Sequence, residues 1–101
     1  MNRIKIANSN DVIEGEMIQA TVNNKNYLVA KIDGTIYVTS DICTHEDAEL
    51  TMGCLSGSKV KCPLHGSFFD LASGEALNEP AVEAIVTYKT ILEDGQIFIN
   101  D

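Results

Sequence analysis

Hydrophobic and polar residues alternate along much of this chain with a period of two, which is typical of β-strands that bury one face. The alternation is clearest in residues 3–6, 35–39 and 96–100. No segment repeats its hydrophobic residues at the spacing of three and four that an amphipathic helix needs. Residues 9–14 are predicted to form a single helical turn, with Ser9 as its N-cap. The pattern therefore predicts an all-β fold.

Two Asp-Gly dipeptides each lie between a pair of predicted strands. They are Asp33-Gly34, between residues 27–32 and 35–40, and Asp94-Gly95, between residues 85–92 and 96–99. Two-residue hairpin turns need positive φ angles, which Asp-Gly supplies. Residues 23–26 separate two further candidate strands in the same way. We therefore predict a fold built mainly from antiparallel hairpins.

The alternation stops between residues 41 and 57, where glycines such as Gly53 indicate a looped segment. Residues 58–61 and 67–71 then look like short strands. We expect them to form a small β unit inserted in the larger one, with loops projecting from it. The inserted part is predicted to cover approximately residues 41–71.

Composition limits the class of protein. A chain of 101 residues is long enough for one domain with its own core, and we assign residues 1–101 to it. The net charge of −8 disfavours a nucleic-acid partner, since phosphate binding needs a basic surface. No stretch approaches the roughly 20 apolar residues of a transmembrane helix, and the N-terminus lacks the apolar run of a signal peptide. We expect a cytoplasmic protein that binds neither nucleic acid nor membrane.

Both histidines and two of the three cysteines lie in two short motifs of the inserted part. They are Cys43-Thr44-His45, a CxH motif, and Cys62-Pro63-Leu64-His65, a CxxH motif. Two thiolates and two imidazoles can bind either one zinc ion or a two-iron cluster. Zinc motifs usually keep like ligands together, whereas each motif here supplies one cysteine and one histidine. The mixed composition favours a two-iron cluster, with zinc as the alternative.

The third cysteine lies outside both motifs. Cys54, between Gly53 and Leu55, is predicted to be a small buried hydrophobic residue. Four other side chains are predicted to be packing residues: Met17, Met52, Phe68 and Tyr88. Pro80 is predicted to mark the turn into a strand that begins near Ala84.

The two motifs and their surroundings resemble the Rieske iron-sulfur proteins, whose CxH and CxxH boxes they match. The resemblance extends to the glycine-rich turn near Gly53 and Gly57, to the aromatic position after Ser67 and to residues 70–75. It implies a Rieske fold, an antiparallel β-sandwich with a smaller inserted cluster-binding subdomain that carries two ligand loops. It also implies one [2Fe-2S] cluster as the cofactor.

The same resemblance implies the ligand set. Cys43 and Cys62 would ligate the buried iron, and His45 and His65 would ligate the outer iron through their ring nitrogens. Ser67 would donate a hydrogen bond to a cluster sulfur, which makes it a cofactor-binding residue. The histidines are expected at the tip of the protein, where an electron passes to a docked partner. No residue is assigned a catalytic role.

This sequence differs from one branch of the family at three positions, and the differences bear on the expected reduction potential. Rieske proteins of the cytochrome bc complexes carry an extra, disulfide-bonded cysteine in each motif, where this chain has Ala48 and Leu64. They also carry a tyrosine whose hydroxyl bonds a cysteine sulfur, where this chain has Phe69. Without this hydrogen-bond donor the reduced cluster is stabilised less, which lowers the reduction potential. We therefore predict a potential near the low end of the Rieske range, roughly −150 mV.

With these differences from the cytochrome bc branch, the chain is more similar to the small Rieske ferredoxins of bacterial aromatic ring-hydroxylating dioxygenases. This implies a soluble, monomeric one-electron carrier in aromatic hydrocarbon catabolism, with a flavin-dependent ferredoxin reductase as donor and a terminal Rieske oxygenase as acceptor. The oxygenase itself needs a second iron bound by two more histidines and a carboxylate. Since both histidines are already used, we expect a carrier and not an enzyme. The alternatives are the small Rieske subunit of an assimilatory nitrite reductase and a zinc-stabilised β adaptor.

Acidic residues flank the first motif. Glu46, Asp47 and Glu49 either present an acidic docking surface to a basic partner or form a solvated loop. The sequence leaves both interpretations open.

Overall fold

The computed structural model describes residues 3–44, 48–64, 66–79 and 81–100. Within these ranges the chain forms ten strands, and the prediction of an all-β fold is confirmed. They are β1 (Arg3–Asn8), β2 (Met17–Val22), β3 (Lys25–Ile32), β4 (Thr35–Ser40), β5 (Cys54–Ser56), β6 (Lys59–Lys61), β7 (Phe68–Asp70), β8 (Thr87–Tyr88), β9 (Thr90–Glu93) and β10 (Gln96–Asn100). Single turns of 3-10 helix lie at Ser9–Asp11 and Leu50–Met52. Among the described residues, no helix has the length and apolar character needed to cross a membrane.

The strands form three antiparallel sheets. Their strand orders are β1-β10-β9, β2-β3-β4-β8 and β5-β6-β7. The first two sheets pack face to face, because Ile97 and Ile99 of β10 share one buried cluster with Val29 of β3 and Val38 of β4. The predicted antiparallel sandwich is thereby confirmed.

The four-stranded sheet is covered on both faces, and β3 shows why. Four consecutive residues of this strand, Tyr27–Ala30, are buried. Side chains along a strand alternate between the faces, so Tyr27 and Val29 join the sandwich core, while Leu28 and Ala30 join a second cluster. That second cluster includes Val60 of β6 and Phe69 of β7. The small sheet β5-β6-β7 therefore packs on the outer face of the sandwich.

Both predicted Asp-Gly hairpins are confirmed. Ile32 pairs with Thr35 across Asp33-Gly34, and Glu93 pairs with Gln96 across Asp94-Gly95, with positive φ angles at all four turn residues. The third hairpin turn is shorter than residues 23–26. Only Asn23 and Asn24 turn, with φ angles of 52° and 66°, and β3 already begins at Lys25. Asparagine tolerates the left-handed region, so a two-residue loop suffices.

Several local predictions are wrong. The helical turn covers only Ser9–Asp11, and its N-cap is Asn8, whose N–H donates to the Asp11 carboxylate at 3.4 Å. The predicted strand over residues 85–92 is divided at Lys89, because β8 pairs with β4 in one sheet and β9 pairs with β10 in the other. The alternation along these residues is real, but it does not reveal the crossing between sheets.

The segment between residues 41 and 57 is more regular than predicted, since it contains the turn Leu50–Met52 and the strand Cys54–Ser56. The short strands predicted at residues 58–61 and 67–71 are confirmed as β6 and β7. Pro80 lies outside the described residues, and the strand expected near Ala84 begins instead at Thr87.

Candidate metal centre

Cys43 lies on a narrow loop that leaves β4 and returns to the turn Leu50–Met52. Its thiol is buried, with the residue 2% exposed. Its N–H donates to the carbonyl oxygen of Ala48 at 2.9 Å, and the Leu50 N–H donates to the carbonyl oxygen of Asp41 at 2.6 Å. These bonds hold the two limbs of the loop together around Cys43. His45, Glu46 and Asp47 lie outside the described residues.

The base of this first loop contains a fully buried carboxylate, that of Asp41. It accepts hydrogen bonds from the N–H and the hydroxyl of Thr51, at 2.9 and 3.1 Å, and from Nε2 of Gln19 at 2.6 Å. A buried carboxylate needs such donors, because an unsatisfied one is costly. Asp41 thus fixes both limbs of the loop from inside the protein.

Cys62 begins the second loop directly after β6 and is 1% exposed. Its N–H donates to the carbonyl oxygen of Ser67 at 2.8 Å, which closes the loop. The loop residues Pro63 and Leu64 are exposed, and Gly66 adopts a φ of 75° that favours glycine. His65 lies outside the described residues.

Ser67 is buried at the end of the second loop. Its hydroxyl oxygen accepts a hydrogen bond from the N–H of Ala81 at 3.1 Å. A hydroxyl can accept and donate at the same time, so the hydroxyl hydrogen stays available for another acceptor.

The segment that follows β7 supports both loops. The Asn78 side chain accepts from the N–H of Phe68 at 2.6 Å and donates to the carbonyl oxygen of Gly66 at 3.3 Å. On the other loop, the Thr44 hydroxyl donates to the carbonyl oxygen of Glu83 at 2.7 Å. Residues beyond 71 therefore take part in holding the loops in place.

Glu49 is less available to a partner than the sequence suggests. Its carboxylate accepts hydrogen bonds from Nε2 of Gln19 at 2.8 Å and from Nδ2 of Asn26 at 3.3 Å. The residue is partly buried. It is thus bonded to β2 and β3, whereas Glu46 and Asp47 are not described.

Two predictions about packing are wrong. Cys54 is exposed, and so is Met52, at 72%. In β5 the alternation turns Leu55 toward Val60 in the small sheet, and Cys54 faces the other side, paired with Lys61.

The packing of Met17 and Tyr88 is confirmed, since each lies against a buried cluster. Phe68 is partly buried, and the ammonium groups of Lys59 and Lys61 lie over its ring.

The thiols of Cys43 and Cys62 are of a type that binds metals. Cys43 and Cys62 belong to the same buried cluster, so two thiols from two loops meet one apolar core. Among the described residues, no three His, Cys, Asp or Glu side chains are grouped to hold a metal ion. Both predicted histidine ligands lie outside that part of the chain. Cys43 and Cys62 are thus the two residues of the predicted donor set that the structure describes, and both are buried.

The chain is similar to proteins of known type along nearly its full length. A family model described as Rieske [2Fe-2S] domain matches residues 2–89. The naphthalene 1,2-dioxygenase system ferredoxin component of Pseudomonas putida is 36% identical over 90 residues, which cover 89% of this chain and 86% of that protein. The 3-phenylpropionate/cinnamic acid dioxygenase ferredoxin subunit of Escherichia coli (strain K12) is 37% identical over 101 residues, covering 99% and 94%.

Among solved structures, the Sphingomonas yanoikuyae B1 ferredoxin matches with a TM-score of 0.94 at 34% sequence identity, and the match covers 99% of both chains. The resemblance seen in the two motifs is therefore confirmed. The fold, the two loops with their buried cysteines and these similarities agree that the chain belongs to the Rieske [2Fe-2S] domain family.

Proposed function

We propose that this chain is the ferredoxin component of an aromatic ring-hydroxylating dioxygenase system. It accepts one electron at a time from a flavin-dependent reductase and passes it to a terminal Rieske oxygenase. The observation that carries the proposal is the similarity to dioxygenase ferredoxin components over 86% or more of their own length. A match of that extent leaves little of those ferredoxins without a counterpart here. The chain is accordingly an electron carrier and not the hydroxylating enzyme.

Four residues are proposed as ligands of a single [2Fe-2S] cluster, Cys43 and Cys62 on one iron and His45 and His65 on the other. The two cysteines are 2% and 1% exposed, which suits the inner iron. When bound, the cluster supplies one site of reversible one-electron transfer. Around it, the chain excludes water from the thiolates with buried side chains such as Leu50.

Ser67 is proposed as a further cofactor-binding residue. Its hydroxyl oxygen already accepts from the N–H of Ala81. That bond fixes the oxygen and leaves the hydroxyl hydrogen to be donated to a sulfur. A donor of this kind stabilises the reduced state, because the negative charge on sulfur increases when an electron is added.

We propose one domain, residues 1–101, whose cluster-binding part covers approximately residues 41–71. One buried cluster contains Leu28 of the sandwich together with Val60 and Phe69 of the small sheet, which supports a common domain. A monomer in the cytoplasm belongs to the same proposal. The exposed thiol of Cys54 suits a reducing compartment, where thiols persist.

The test uses the purified full-length chain, whose iron, sulfide and zinc contents are measured first. Two irons and two sulfides per chain are expected. The chain is then mixed with a flavin-dependent reductase, NADH and a terminal ring-hydroxylating oxygenase, and product formation is followed. Turnover that requires the chain supports the carrier function. A colourless zinc protein would favour the adaptor, and an iron protein that only works within a nitrite reductase complex would favour the accessory subunit.

A further inference from the structure

We propose that Gln19 is a positioning residue for the first ligand loop. Its amide nitrogen bonds both ends of the loop and fastens them to β2, which sets how Cys43 is presented to the cluster. The inference rests on the proposed function, because it assumes that this loop carries cluster ligands.

The geometry at Gln19 is that of one donor between two acceptors. Nε2 lies 2.6 Å from Oδ2 of Asp41 and 2.8 Å from Oε2 of Glu49. An amide nitrogen carries two hydrogens, so both bonds form together. Carboxylates only accept, so the nitrogen, and not the amide oxygen, must face them. Bonds to carboxylates are also stronger than those between neutral groups.

The two acceptors stand at the two ends of the loop. Asp41 directly follows β4, Glu49 directly precedes the turn Leu50–Met52, and Cys43 lies between them. Backbone bonds, such as the one from Cys43 to Ala48, hold the limbs to each other. They do not fasten the loop to the sandwich. Gln19 supplies that link from a strand far away in the sequence, with bonds of 2.6 and 2.8 Å, and the Asn26 amide adds a longer bond of 3.3 Å from β3 to Glu49.

The position of Gln19 on β2 makes the link direct. Gln19 pairs with Leu28 of β3, and paired residues of antiparallel strands point to the same face. Leu28 belongs to the buried cluster that contains Cys43 and Leu50, so this face is the one on which the loop packs. Gln19 itself is exposed. A substitution there removes hydrogen bonds without opening a cavity in the core.

Asp41 keeps its two bonds to Thr51 when Gln19 is replaced. The loop should therefore still form and bind the cluster, but with its two ends less firmly held. We expect a changed electron paramagnetic resonance spectrum of the reduced cluster, which reports ligand geometry. Cluster loss to a chelator should become at least about tenfold faster, because two hydrogen bonds to carboxylates are lost and the lower end of the range for one such bond already corresponds to about tenfold.

A series at this position separates donor loss from general damage. Gln19→Met removes the donor, Gln19→Glu places a third carboxylate beside the other two, and Gln19→Lys restores donors. The expected order of cluster-loss rates is Glu fastest, then Met, with Lys close to the wild type. The control is Gln96→Met, at the only other glutamine of the chain, in strand β10 of the other sheet. It should leave the spectrum and the rate unchanged.

Wild-type spectra and wild-type loss rates in both Gln19→Met and Gln19→Glu would overturn the inference. If Gln19→Glu does not fold, the uncharged Met variant decides. If the wild-type chain binds no iron-sulfur cluster, the proposed function fails, and hydrogen exchange then tests the link by itself. The N–H of Leu50, bonded to Asp41, should exchange faster in Gln19→Met than in Gln96→Met. Equal exchange would refute the link.

Discussion

Gly53 lies so close to Lys61 that a Cβ atom at residue 53 would overlap the carbonyl oxygen of Lys61. Lys61 immediately precedes Cys62, and Gly53 immediately precedes β5, which pairs with β6. The φ angle of Gly53 is −88°, so the absence of a side chain matters here for space and not for backbone strain. The close approach therefore connects the end of the first loop to the start of the second.

Gly53→Ala should destabilise the protein by about 1 to 3 kcal/mol, because the backbone of β6 has to move away from the new methyl group. Thermal unfolding measures the loss, and iron content shows whether the second loop is affected. Gly57→Ala is the matched control. Its φ is 58° and no atom of the described residues lies within 4 Å of its Cβ position, so only the strain of a left-handed residue, about 1 kcal/mol, is expected. Equal stability of wild type and Gly53→Ala would contradict the close approach.

Cys54→Ser should leave the cluster and the stability nearly unchanged, within about 0.5 kcal/mol, because the thiol is exposed on the small sheet. Cys43→Ser and Cys62→Ser should abolish or grossly alter the absorption spectrum, since both positions are proposed ligands. A thiol reagent added to the native protein should modify Cys54 quickly. Bleaching of the cluster by Cys54→Ser would show that this thiol has a role beyond the surface.

Asn78→Asp tests how the second loop is held. The new carboxylate still accepts from the N–H of Phe68, but it cannot donate to the carbonyl oxygen of Gly66. One lost bond should cost about 1 kcal/mol, and Asn78→Ala should cost about twice as much. Denaturant unfolding gives the free energies, with exposed Asn10→Ala as the control. If both Asn78 variants are as stable as the wild type, the loop does not depend on this side chain.

Charge reversal distinguishes the acidic residues of the first loop. If Glu46 and Asp47 guide docking to a basic partner, Glu46→Lys with Asp47→Lys should slow electron transfer and flatten its dependence on salt. Glu49→Lys should act differently, because it breaks the bonds from Gln19 and Asn26 and lowers the free energy of unfolding. Stopped-flow kinetics over a range of salt concentrations separate the two effects. Unchanged kinetics in the double variant would indicate a solvated loop.

Local chemistry made much of the fold predictable. The turn at Asp33-Gly34 depends on the φ angles of two adjacent residues, and the motifs at Cys43 and Cys62 are visible as spacing. The same local view fails for Cys54. Alternation shows that neighbouring side chains in β5 face opposite sides, but it does not show which side is buried until β6 is in place.

The residues that hold the loops could not be found from the sequence. Gln19 and Asp41 meet only because β2, β3 and β4 are paired in register, which brings distant parts of the chain together. Asn78 likewise bonds Gly66, although the strand β7 and the turn after it lie between the two residues in the sequence. Polar residues in such positions look like ordinary surface or turn residues until the tertiary fold is known.

A redox titration of the purified chain, followed by visible absorption, tests most directly whether it carries a low-potential Rieske cluster. We expect a coloured protein that takes up one electron per chain, with a midpoint potential of about −150 mV. The low value is expected because this chain has Phe69 where the Rieske proteins of the cytochrome bc complexes have a tyrosine, and Ala48 and Leu64 where they have cysteines. A protein with no reducible chromophore, or one with a clearly positive potential, would contradict this expectation.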